Sequence, residues 1–288
     1  MGICRVELFA ERIKKLKTIA QVITACEQER AYLQSSYLTI GSLKTGFSIY
    51  RNYLRKSLGS LEVKGKSVLS LALEILRLSK EQQQQYDLLT VQGVIAHRKN
   101  LRAITDVSRY LAVSRELLSS TSSYLDWIIG LAALSGRRTA EIACSAFMER
   151  VSDHTVLFSG QLKLKARQLS SYTIPVLYDP KELIKVLAKL RLAKPELVGN
   201  RLKFHDNASK NLNYKVKKYY AGCFDGDPKP KDLRSIYAEL CFALFCEKGG
   251  VRNIAKNQYF SLLLGHGEND LSTSDAYVDF YIDDPNFK

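Results

Sequence analysis

Between Thr155 and Tyr178 the apolar residues alternate, first Val156, Phe158, Leu162 and Leu164 and then Tyr172, Ile174 and Val176. On either side they recur instead at three- and four-residue spacing. A period of two lays one face of a strand on a core, and a period of 3.6 does the same for a helix, so the two patterns cannot exchange roles. The chain is therefore predicted to be mainly α, with a small antiparallel β-sheet inserted among the helices. Ser159-Gly160 is the turn candidate inside the alternating stretch.

Helical spacing runs from Val6 to about Gln34, with Lys14, Lys15 and Lys17 close together, which predicts a basic helix suited to lying against phosphates. It returns from Ser67 to Leu78. The polar run Lys80 to Gln85, with four consecutive glutamines, then breaks the apolar pattern. A chain of 288 residues exceeds the roughly 100 to 200 usual for one domain. A junction between about 80 and 100 divides it into a helical DNA-binding domain, residues 1–90, and a second domain, residues 91–288. From Asn100 onward Leu101, Ile104, Val107, Leu111, Leu117 and Leu118 again have helical period, followed by Tyr124 to Leu134. Helices are predicted to resume at Pro180 to Leu192, Leu212 to Tyr220 and Lys231 to Glu247, and Asp283 to Pro285 reads as a short tail.

Lysine and arginine number 43 against 29 acidic residues, a net charge of +14. That balance makes a polyanion the first partner to consider, nucleic acid before an anionic membrane surface. No run of about 18 apolar residues occurs, and the charges spread through Met1 to Lys17 do not fit a leader peptide, so a soluble intracellular protein is expected. Ser42 to Lys66 interleaves basic residues with Tyr50 and Tyr53, and Lys44, Arg51, Arg55 and Lys56 are its candidates for DNA contact. A solvated helical face is the alternative. The six cysteines form no Cys-x-x-Cys pair and read as reduced thiols. His97, His154 and His205 have no metal-ligand spacing with a carboxylate, so no metal or other cofactor is expected.

Four motifs carry chemistry. In Ser135-Gly136-Arg137-Arg138-Thr139-Ala140-Glu141 a glycine turn presents an arginine at a helix start, where its planar fork can hold two phosphate oxygens. Phe158 to Lys165 places Lys163 and Lys165 just beyond a strand turn. In Lys231-Asp232-Leu233-Arg234-Ser235-Ile236-Tyr237 the Lys, Arg and Tyr recur every three residues, hence along one side of a helix. Leu264-Gly265-His266 is followed eleven residues later by Tyr277, and Tyr277 by Phe280.

With 16 tyrosines in the chain, any single one after a Leu-Gly-His triplet is unremarkable. The order and spacing of all the boxes, over Ser135 to Phe280, carry the resemblance instead. This half of the chain resembles the telomere resolvase family of the tyrosine-recombinase superfamily, with Lys-x-x-Arg-x-x-Tyr where most members of that superfamily have Arg-x-x-His. Residues 1 to about 90 align with no motif.

The resemblance implies a tyrosine-recombinase-like catalytic domain in which Tyr277 attacks phosphorus and leaves a 3′-phosphotyrosyl link. Arg138 is the catalytic arginine of the first box, and Arg137 is not. Lys163, with Lys165 as the alternate and otherwise a DNA contact, protonates the departing oxygen. Lys231 and Arg234 grip the phosphate, Tyr237 contacts or orients it, and His266 binds a non-bridging oxygen or shares proton transfer. The implied partner is an inverted-repeat DNA duplex bound by a homodimer. The implied product is a pair of covalently closed hairpin ends, made without metal or ATP in the cytoplasm of a prokaryotic host. The alternatives are a conventional recombinase or integrase exchanging strands between two sites, and a non-catalytic DNA-binding protein.

Overall fold

The computed structural model describes residues 4–162, 170–247, 254–265 and 277–287. It divides into two compact units, Met1–Ile95 and Ala96–Lys288.

The first unit begins with α1 (Arg5–Lys14) and α2 (Ile19–Ser36). The single predicted helix is two because Thr18 forms a reciprocal cap with Gln21, its hydroxyl accepting from the Gln21 N–H and its own N–H donating to Gln21 Oε1. α3 (Ile40–Ser57), a minimal hairpin of β1 (Glu62–Val63) and β2 (Lys66–Ser67), and α4 (Val68–Ile75) complete a small core around Phe9, Ile13, Val22, Phe47 and Leu54. The glutamine run does not interrupt structure. It lies in α5 (Lys80–Lys99), a helix within which the division between the units falls. Straight-chain residues such as glutamine lose little side-chain freedom in a helix, so they lack an apolar stripe without lacking helix propensity.

In the second unit β3 (Arg102–Ile104) leads to α6 (Val107–Ser119), α7 (Tyr124–Ser135) and α8 (Thr139–Cys144). β4 (Phe147–Arg150), β5 (Thr155–Ser159) and β6 (Ser171–Pro175) form a three-stranded antiparallel sheet in that order. Val156 pairs with Ile174 and Phe158 with Tyr172, and all four side chains point into the core. α9 (Pro180–Ala193), α10 (Arg201–Tyr220) and α11 (Pro230–Cys241) follow. A π-helical segment (Phe242–Glu247), α12 (Lys256–Leu263) and β7 (Phe280–Ile282) close the described part. Every residue of α7 from Leu125 to Ser135 is buried, as a helix apolar on all sides must be, with α6, α9 and α11 packed around it.

Two expectations change. Leu101 and Ile104 do not begin a helix: Arg102–Ile104 pair in parallel with Phe280–Ile282, residue for residue. Nor is Asp283 to Pro285 a loose tail, since the Asp283 N–H donates to the Ile104 carbonyl and Asp284 Oδ2 accepts from the Val107 N–H. Two segments far apart in the second unit are thus tied together beside α11, shortly after Tyr277. Arg102 strengthens the tie with a fork onto Asp232 of α11 at 2.6 and 3.2 Å while stacking 4.2 Å over the Phe280 ring.

Candidate active site

α7 stops at Gly136, whose left-handed backbone (φ 65°) turns the chain over the Tyr237 ring. A Cβ there would lie 2.0 Å from that ring, so only glycine fits. The next two residues are both arginines, and they part. Arg137 goes inward, 1% exposed. It donates to the Ser135 carbonyl, the Tyr172 hydroxyl and, at 3.0 Å, the Leu263 carbonyl. Arg138 stays partly open and caps α8 together with Glu141, its backbone N–H reaching Glu141 Oε2 at 3.1 Å and its guanidinium Glu141 Oε1 at 2.6 Å. Burial resists ionisation of Glu141, but Arg234, Arg138 and Arg137 outweigh it and hold the carboxyl below its ordinary range.

Arg234 is buried in α11, with Nη1 on the Gly136 carbonyl at 2.6 Å and Nη2 on the Leu264 carbonyl at 2.8 Å. Its buried Nε has no partner among the described residues. Its guanidinium carbon lies 5.2 Å from the centre of the Tyr277 ring. Burial, with Arg137 and Arg138 adding repulsion, pushes its pKa down to about 10, so it stays charged at neutral pH. Tyr277 meets the opposite balance. Burial opposes its ionisation, yet attraction to Arg234 and Arg138 and hydrogen bonds with both hold the phenol below its usual value near 10.

Ionisation of such a phenol begins at lower pH than that of a free tyrosine. If the phenolate is the nucleophile, its reaction rate is expected to rise with pH and level off below pH 10. Arg138→Gln, by removing one cation, should move the inflection upward. Single-turnover rates measured from pH 6 to 10.5 check this, and an inflection that does not move would remove Arg138 from the activation of Tyr277.

Lys231 occupies the open end of α11, its side chain 55% exposed, with Nζ 3.4 Å from Asp279 Oδ2. Ser235 donates to the same oxygen at 3.2 Å. Arg138, Arg234 and Tyr277 therefore come together, and Lys231 stands on the same helix as Arg234, one turn away. Lys163, Lys165 and His266 lie outside the described residues.

Tyr237 is corrected. It is fully buried, and its hydroxyl donates to the Pro175 carbonyl at 2.6 Å, so it supports the Gly136 turn instead of facing DNA. Helical spacing put it in line with Lys231 and Arg234, but spacing does not say how far down that side the core begins.

In the first unit Tyr50 is likewise withdrawn from the predicted DNA face. It is buried, and its hydroxyl donates to Glu29 at 2.7 Å beside the Arg5 fork on the same carboxylate. Lys44 and Arg51 line a cleft of about 870 Å³ with Arg30, Arg77 and Lys80. Lys44 sits 3.6 Å over the Tyr86 ring, and Arg51 has a buried Nε without a hydrogen-bond partner among the described residues. Arg55 and Lys56 are exposed one turn further along α3.

Sequence reasoning missed Gln161, Tyr172 and Asp279 as parts of the site. Their only sequence signal is a polar residue at a strand end, or beside the nucleophile candidate, where an apolar one would do. Among the described residues no group of three or more His, Cys, Asp or Glu could hold a metal ion, and no helix is long and apolar enough to cross a membrane.

A partly buried phenol that interacts with two guanidiniums, in a mainly helical unit carrying a small antiparallel sheet, is the arrangement expected of a tyrosine-recombinase-like catalytic domain. Residues 100–280 match the family described as telomere resolvase ResT/TelK catalytic domain, and the chain belongs to that family. It is 24% identical over 234 residues to the protelomerase of Klebsiella oxytoca phage phiKO2, covering 75% of this chain and 36% of that protein. With the telomere resolvase ResT of Borreliella burgdorferi the identity is 23% over 183 residues, covering 62% and 39%. The chain thus spans little more than a third of the length of these relatives. Protelomerase tela covalently complexed with substrate DNA has the same fold, with a TM-score of 0.83 at 22% identity, covering 98% of this chain and 90% of that one. The protelomerase TelK complexed with substrate DNA follows at 0.63 and 19%, covering 97% and 60%.

Proposed function

We propose that this chain is a telomere resolvase: it cleaves an inverted-repeat duplex through Tyr277 and rejoins the strands as covalently closed hairpin ends. The observation that carries the reading is the pairing of Tyr277 with Arg138 and Arg234, which favours phenolate and offers positive charge where a pentacoordinate phosphate gathers negative charge. In the first step the phenolic oxygen bonds to phosphorus, its proton passes to solvent, and the bond to the 5′ oxygen breaks. Lys163 or His266 protonates that oxygen, and Lys231 steadies the phosphate from the open end of α11. The phosphotyrosyl ester keeps the bond energy until the 5′ hydroxyl of the complementary strand attacks it and restores Tyr277. Two copies acting on the two halves of the repeat close both ends. The relatives support the DNA side of this reading, since a protelomerase tela variant of the same fold is complexed with a DNA hairpin product.

The test is incubation with a duplex bearing an inverted repeat, in chelator, followed by denaturing electrophoresis. Fragments that renature at once are the expected result, because hairpin ends keep the strands joined. Recombinant junctions between two duplexes would point to strand exchange, and cleavage that requires added magnesium would overturn the metal-free mechanism.

The Lys44 and Arg51 cleft and the exposed Arg55 and Lys56 are assigned to phosphate contact. Each neutralised phosphate adds roughly 0.9 to the slope of log affinity against log salt. Replacing Lys44 and Arg51 by alanine is expected to flatten that slope by about two phosphates' worth, measured by fluorescence anisotropy from 50 to 300 mM salt. An unchanged slope would mean that the cleft does not touch DNA.

A further inference from the structure

Two residues beyond Tyr277 stands a carboxylate that no motif required. Asp279 is 1% exposed, and its backbone is held from the far side of the unit. Its carbonyl accepts from the Arg102 N–H at 3.0 Å, and the next residue, Phe280, opens β7. The side chain is turned against α11. Oδ2 accepts from the Ser235 hydroxyl at 3.2 Å and lies 3.4 Å from Lys231 Nζ. Ser235 and Lys231 are four residues apart, hence on one side of that helix.

Burying a carboxylate is costly, and an ammonium that stays largely in water offsets little of that cost, because solvent screens the pair. The Lys231 side chain is 55% exposed. To accept from Ser235, an amide of the same size would serve as well as a carboxylate. The charge has its use at the other end of the pair. An ammonium carries three donors on a flexible four-carbon stem and, unrestrained, takes many positions. One carboxylate oxygen draws it to one side of the helix and engages a single donor, so the others can reach a phosphate oxygen. At 3.4 Å the contact is also longer than the roughly 2.7 to 2.9 Å of a charge-assisted hydrogen bond. Asp279 thus guides the ammonium without locking it.

We propose that Asp279 is a positioning residue: its buried carboxylate aims Lys231 at the scissile phosphate and, two residues after Tyr277, registers that cation with the nucleophile's own segment. The inference rests on the reading of Tyr277 as nucleophile and Lys231 as a phosphate contact. Asp279 touches no reacting atom. Its effect passes through Lys231, because a cation helps the pentacoordinate phosphate only from the place where negative charge gathers, and a misplacement of about one ångström is enough to slow a reaction severely.

The test is a double-mutant cycle, read by single-turnover adduct formation on an inverted-repeat duplex. Asp279→Asn keeps the size of the side chain and an acceptor for Ser235, and removes the charge. Expected are DNA affinity within about twofold of wild type and adduct formation slowed ~10-fold. With Lys231→Ala already present, the same substitution should change the rate by less than about twofold, since its only route to the phosphate has gone. Asp279→Ser, smaller but still able to accept from Ser235, should behave alike and serves should the asparagine variant fold poorly. Wild-type rates in both variants would overturn the proposal. So would equal losses with and without Lys231, which would make Asp279 a support for the Tyr277 segment, and so would failure of both variants to fold, which would make it a residue of stability alone. A Lys231→Ala protein that cleaves at the wild-type rate would remove Lys231 from the mechanism and the proposal with it. A wild-type protein that forms no adduct would overturn the Tyr277 reading itself.

Discussion

Tyr277→Phe is expected to abolish the covalent protein–DNA adduct while leaving DNA affinity within about twofold, because the substitution removes one oxygen from a ring whose packing is otherwise kept. The ring lies against the buried core of the second unit, and the segment that follows it is anchored by the Phe280–Ile282 pairing, so loss of the hydroxyl should not unseat it. Thermal melting should change little, since Arg138 and Arg234 keep their other partners, Glu141 and the two carbonyls, when the Tyr277 hydroxyl is lost. The measurement is the slow-migrating adduct on denaturing gels. Tyr281 is the control: it is exposed and lies on β7, and Tyr281→Phe should leave the adduct intact. Loss of the adduct in the Tyr281 variant alone would withdraw Tyr277 from the mechanism.

The second large effect concerns Arg234. Arg234→Lys conserves charge, yet an ammonium on a flexible stem cannot span the Gly136 and Leu264 carbonyls at once, nor replace the Nε donor, which has no partner among the described residues. Removing one preorganised donor to a developing oxyanion typically costs about 100- to 1000-fold in rate, and a loss of that order in single-turnover cleavage is expected with DNA affinity reduced far less. A buried carbonyl left unpaired costs about 1–3 kcal/mol, so the variant should also melt several degrees lower and must be assayed well below its transition. Equal losses in binding and cleavage would make Arg234 an anchor for DNA only. The partnership with Lys231 differs from that of two equal jaws: Lys231 is exposed and held by Asp279, whereas Arg234 is braced by the Gly136 and Leu264 carbonyls beside the Tyr277 ring. Combining Lys231→Ala with Arg234→Lys is still expected to cost less than the sum of the two, since both act on one phosphate.

Much of this protein is legible along the chain because local periodicity reports which face of an element is covered. The helical classes and two of the three strands of the short antiparallel sheet, Thr155–Ser159 and Ser171–Pro175, follow from residues a few positions apart, and the +14 charge and the order of the arginine, lysine and tyrosine boxes are read directly along the chain. Periodicity is silent about what does the covering. Tyr237 had the right spacing to stand beside Lys231 and Arg234, but the Gly136 turn and the Pro175 carbonyl, distant in sequence, enclose it. Tyr50 was lost from the basic face in the same way, to Glu29.

What the sequence alone determined, then, is the set of elements and the inventory of chemical groups, since propensity, pattern and charge act over one or two turns. Only the tertiary structure decided the assignments that depend on contacts across 30 to 180 residues. Arg137 and Arg138 are chemically identical neighbours, and one became a core donor and the other a partner of Tyr277 because Tyr172 and Leu263 wait on one side of the turn and Glu141 on the other. The pairing of Arg102–Ile104 with Phe280–Ile282, which anchors the strand that follows the nucleophile candidate, joins strands too short to be marked by period and too far apart for any local rule. A buried donor must find an acceptor wherever the fold brings one, and that requirement acts through space, not along the chain.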